Sequence, residues 1–146
     1  MPAGRRALVV SAAFYAIVVT NVFNLTEWTL SPILLTIQVV FVMAVVTVVA
    51  LRMVDKGERA VQTLTALYAT SGVMSLIPVL LQPLAGLGID FLLNIVLIVL
   101  FFWSFAIDAF IFSRALNTNM WMGLFVAVTL FILNQFVLSP WQVLPV

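Results

Sequence analysis

Asp108 stands in an apolar run, Phe105-Ala106-Ile107-Asp108-Ala109-Phe110, six positions before Arg114. On a straight helix that offset places it about 9 Å deeper in a bilayer than the arginine. An ionised carboxylate at such depth costs roughly 3 kcal/mol on insertion scales unless it is paired, hydrated or protonated, and residues of this kind mark ion paths, proton relays or partner contacts. A structural role is the alternative: Asp108 hydrogen-bonds a neighbouring helix or reaches the cations of the Arg52 to Arg59 segment. Arg114 is a poor partner, because side chains six apart on one helix point to different faces. Asn94, Phe101 and Asp108 recur every seven residues, with Ser104 one turn before Asp108. The spacing draws a weakly polar stripe that is expected to face protein. Asp108, Asn94 and Ser104 are therefore the candidate intramembrane polar site, and proton uptake is the chemistry that they could perform.

Nothing else in the chain offers reaction chemistry. With no Cys and no His, thiol nucleophiles, the usual zinc and haem ligands and the side chain that titrates unperturbed near neutrality are all missing. Nucleophile elbows, phosphate loops and metal-ligand spacings do not occur. One buried carboxylate without a second acid or a base makes no acid–base pair. No catalytic, cofactor or metal residue is assigned, and the expectation is a protein that is not an enzyme. Nucleic acid is set aside as a partner, because the net charge is only +1 and phosphate recognition needs clustered cations.

The elements that position Asp108 follow from composition. Hydrophobic residues make up 65% of the 146 positions and charged ones 8%, and the mean hydropathy is +1.29. A soluble globule would need about a quarter of its residues charged, so the solvent is expected to be lipid. A span needs about 20 largely apolar residues, and five segments qualify: 7–23, 32–51, 60–81, 89–112 and 119–138. Lipid leaves no partner for unpaired backbone groups, which makes these runs helices. The expected fold is all-α, a single transmembrane bundle over 1–146 with short loops between antiparallel neighbours.

Arg5, Arg6, Arg52, Lys56, Arg59 and Arg114 all fall on one face of this layout, while the other carries Glu27, Asp90 and no cation. Cations of short loops stay in the cytoplasm, so the N-terminus is expected there and the C-terminus on the opposite side. Trp28 and Trp141 fit one boundary and Trp121 the other; Trp103 falls mid-span, as a packing or lipid-facing residue. A cleaved signal over 1–23 is not expected, because Thr20 to Asn24 supply no small-x-small site. Asn24-Leu25-Thr26 matches a glycosylation acceptor, discounted as a short-pattern coincidence in a tiny loop.

Three features bear on packing. Gln62, Thr65, Ala69 and Gly72 form a narrow stripe suited to close approach, a natural partner for the Asp108 stripe. Gly123 and Ala127 make a small-xxx-small pair, continued by Asn134, for packing within the bundle or against another subunit. Pro78 predicts a kink in the third span, with Ser75 one turn earlier to support it. The mixed cluster Arg52, Asp55, Lys56, Glu58 and Arg59 anchors the loop, with lipid headgroup or partner contact as the sharper alternative.

The layout resembles the Yip-like family of small five-span membrane proteins, including bacterial members. The likeness runs from Ala60 to Leu138: a small-residue helix opening Ala60-Val61-Gln62-Thr63-Leu64-Thr65-Ala66-Leu67-Tyr68, a Pro-containing exit, then Trp103-Ser104-Phe105-Ala106 before a short turn and a last helix. The polar segment that precedes the first span in eukaryotic members is missing here. The resemblance implies a non-enzymatic protein that binds other membrane proteins, and it supplies no catalytic residues. The expected function is assembly, as an accessory subunit or homo-oligomer in a bacterial inner membrane, with the bilayer and other membrane proteins or itself as partners. The alternative is a small transporter or proton-linked permease that uses Asp108.

Overall fold

The computed structural model describes residues 3–26, 28–84 and 89–142; Glu27, Gly86 and Gly88 lie outside them. The described residues form five α-helices: α1 (Ala3–Asn24), α2 (Pro32–Met53), α3 (Ala60–Leu81), α4 (Asp90–Leu116) and α5 (Met120–Leu138). All five are long and apolar enough to cross a membrane. The chain is an all-α, multi-pass membrane bundle. The expected spans hold, with α1 reaching further back, to Ala3, and α4 further forward, to Leu116. The α4–α5 turn is consequently very tight. Asn117 enters the left-handed region at φ 57° to end α4, a conformation that asparagine tolerates. Asn119 then caps α5 by accepting from the Met122 N–H at 3.0 Å.

Opposite ends of the bundle are tied differently. At the basic end the Arg59 guanidinium donates to the Arg114 and Ala115 carbonyls of α4, each at 3.3 Å, satisfying acceptors that a helix terminus leaves open. At the other end the Thr29 N–H and hydroxyl both donate to the Trp141 carbonyl at 3.0 Å, and the Phe23 and Trp28 rings meet edge to face. This clasp joins the α1–α2 connection to the end of α5.

Between the ends, packing is set by where backbones can approach. A Cβ on Gly72 would sit 2.7 Å from the Phe14 ring, so the glycine lets α3 lie against α1. This stripe therefore meets α1 at Gly72, not the polar stripe of α4. Gly123 does the same for α5: a Cβ there would collide with the Ala109 carbonyl and lie 2.8 Å from the Ser113 nitrogen of α4. The Gly123 and Ala127 face is thus buried inside the bundle. Leu35, Leu51, Leu67, Phe112 and Thr47 are fully buried at the centre. Two cross-helix bonds add specificity, from the Tyr68 hydroxyl to the Val40 carbonyl at 2.8 Å and between the Thr20 and Thr36 hydroxyls at 2.9 Å.

Replacing Gly123 with Ala forces α4 and α5 apart, and overpacking of this kind costs about 1–3 kcal/mol. Thermal unfolding in detergent should shift clearly downward for Gly123→Ala. Gly4→Ala, where a Cβ meets only the Val61 side chain at 3.8 Å, should leave the melting temperature unchanged or slightly raised.

Candidate functional site

α4 is packed along only part of its length. Ala109, Phe112, Ser113, Ala115 and Leu116 are buried near the basic end. From Phe91 to Val99, in contrast, every side chain except Leu93 is exposed, so no face of those turns is covered. The clasp-end half of α4 stands off its neighbours, and a cleft opens between it and α3.

The cleft is lined by Met74, Ser75 and Pro78 of α3 and by Leu97, Phe101 and Asp108 of α4. It has a volume of about 310 Å³. A second lobe of about 350 Å³ shares Ser71, Ser75, Ser104 and Asp108 and continues to Tyr15 of α1 and to Asn134 and Gln135 of α5. Counting about 1.5 Å per residue from the basic end, Asp108 lies ~12 Å into the bundle, Ser71, Tyr15 and Ser104 ~17 Å, and Ser75 and Asn134 ~22 Å. The carboxylate therefore opens onto a polar space at mid-depth, although Asp108 itself is nearer the basic end.

No cation lines either lobe. The alternative in which Asp108 reaches the cations of the Arg52 to Arg59 segment is not seen, and Arg59 reaches the last carbonyls of α4 instead. The Asn134 Oδ1 atom is buried without a hydrogen-bond partner. Pro78 lacks the N–H that would otherwise bond the Met74 carbonyl, which frees another acceptor on the α3 wall. These acceptors and the Asp108 carboxylate stand beside the hydroxyls of Tyr15, Ser71 and Ser75, and an unpaired buried acceptor carries a desolvation cost of about 1–3 kcal/mol. What fits such a space is a donor: water, a cation, or the polar tip of a partner's side chain.

The candidate residues separate into three places. Asp108 and Ser104 share the cavity, while Asn94 lies exposed on α4 outside it. Asn134, first singled out for packing, joins Asp108. Gln62 is exposed and lines a different cleft at the basic end, while Thr65 and Ala69 are partly buried on α3. Tyr15, Ser71 and Gln135 were missed. Ser71, Ser75 and Pro78 fall at i, i+4 and i+7, a spacing that could have announced the α3 wall; nothing local marks Tyr15 or Gln135.

Comparison with known proteins finds no matching family model, no matching curated protein and no matching solved structure.

The native chain has no cysteine, so single cysteines are clean probes of hydration, since only the thiolate reacts. Ser104→Cys should be modified by a small charged thiosulfonate reagent several-fold faster than Trp103→Cys, whose site is 60% exposed on the lipid side. Equal rates would contradict a hydrated cavity.

Proposed function

We propose that this chain is a non-enzymatic assembly protein of the membrane, an accessory subunit that receives a partner's transmembrane helix in the α3–α4 cleft. The observation that carries the reading is Asp108, a carboxylate facing a lipid-open cleft with no cation in its lining. A partner helix with Lys, Arg or an amide donor at matching depth would pair it and cover the bare turns of α4. A second copy of this chain is a poorer occupant. Its six cations all lie in the first turns of α1, in the last turn of α2, in the α2–α3 connection or in the last turn of α4, so it brings no cation to mid-depth. The resemblance to Yip-like proteins, which act by binding other membrane proteins, agrees with this reading.

The test is site-directed photocrosslinking in native membranes. A photoreactive residue at Met74 or Leu97 should join one discrete protein, and one at Phe125, on the outer face of α5, should not. Asp108→Asn should reduce the product at least several-fold. Equal products from Leu97 and Phe125 would contradict the assignment.

Transport is favoured by one separate observation, the deeper lobe that runs from Asp108 to Asn134. If Asp108→Asn abolishes a proton-dependent flux in proteoliposomes and leaves crosslinking intact, this second reading replaces the first.

Orientation and location belong to the proposal as well. The one-sided cations support a cytoplasmic N-terminus, and the brief loops suit a bacterial inner membrane. A phosphatase reporter fused after Val146 should be active outside the cytoplasm, and a cytoplasmic C-terminus would refute the arrangement.

A further inference from the structure

The basic end holds a second cleft between α3 and α4, of about 460 Å³, lined by Arg59, Gln62, Ala66, Phe110, Ile111 and Arg114. We infer that it is a binding site for the phosphate headgroup of one anionic phospholipid, with an acyl chain lying along the Ala66 and Phe110 wall. The inference is independent of the Asp108 reading, because the two sites share no residue.

The two guanidiniums are drawn to one place by the fold. Arg59 is anchored by one nitrogen on the Arg114 and Ala115 carbonyls at 3.3 Å, which uses a minority of its five N–H donors. Arg114 lies over the Phe110 ring, 5.3 Å from its centroid, a placement that steadies the charge at the cleft wall. No acidic residue lines the cleft. With both arginines on one cleft wall and no carboxylate in its lining, an anion in the cleft would pair with both. Arginine pairs match phosphate oxygens through parallel N–H donors, and the exposed Gln62 amide adds a further donor.

Depth selects the ligand. Arg59 immediately precedes α3 and Arg114 is in the last turn of α4, the level at which headgroup phosphates lie. Ala66, Phe110 and Ile111 are each about one to two turns further in, where acyl chains begin. Basic pockets between transmembrane helices bind anionic headgroups in this way. A free phosphate would satisfy the arginines but leave the apolar wall unused.

The experiment uses the full-length protein in nanodiscs of equal phosphatidylglycerol and phosphatidylcholine, with retained lipid read by native mass spectrometry. The wild type should retain phosphatidylglycerol at least five-fold over phosphatidylcholine. Arg114→Gln should bring the ratio close to one without loss of folding, because the cap bond of Arg59 uses the Arg114 carbonyl and not its side chain. Arg59→Gln should do likewise, and Arg52→Gln, outside the cleft, should not. Equal retention of both lipids by the wild type would overturn the inference, as would a ratio untouched by Arg114→Gln. Displacement of the lipid by millimolar inorganic phosphate would also overturn it, since the site would then be one for the free anion.

Discussion

Lipid offers no hydrogen bonds, and that single deficit organises the molecule. It forces the backbone into helices and makes each polar side chain find a partner within reach. Most do so locally. Thr36, Thr63, Thr65 and Thr70 each bond the carbonyl four residues back, at 2.7–2.9 Å, and Ser104 bonds the Phe101 carbonyl. Asp108 has no such refuge on its own helix, since a carboxylate only accepts and the backbone N–H groups around it are used within the helix. Its position among Ser71, Ser75 and Ser104 opens onto a cleft, where something from outside the chain can reach it.

α4 decides why the cleft stays open. Near the basic end Gly123 admits the α4 backbone, and Phe112 is fully buried. Further along, Phe101, Phe105 and Phe131 form an edge-to-face cluster with centroids 5.0–5.5 Å apart. These rings fill the space between α4 and α5 and hold α4 to that side, so it does not close onto α3. Beyond Phe101 towards its start, α4 carries large apolar side chains on every face, a composition suited to lipid or to another apolar helix.

The number and class of the helices were legible because hydropathy alone sets them: an uninterrupted apolar run has one stable form in a bilayer. The glycines were legible as close-approach positions, but not their partners. Gly72 meets α1 instead of α4, since the neighbour of a helix depends on how all five pack, which short-range spacing does not encode. Asp108 announced itself by depth and charge. Asn134 did not announce its role: as the third member of a small-residue face it read as packing, and only the fold brings its buried Oδ1 to the cavity of Asp108. Tyr15 was silent for the same reason, because a tyrosine in an apolar run carries no sign of what it will face. The Arg59 hook on the end of α4 depends on a contact across 55 residues, beyond any local pattern.

What fills the α3–α4 cleft decides what the protein does. The direct measurement is a cryo-electron microscopy map of the protein in nanodiscs, prepared from its native membrane with whatever accompanies it. The expected map has a helix from another chain in the cleft, with a donor side chain within hydrogen-bond distance of the Asp108 carboxylate and the turns from Phe91 to Val99 covered. A map showing α4 closed onto α3, or only acyl chains beside Asp108, would contradict it.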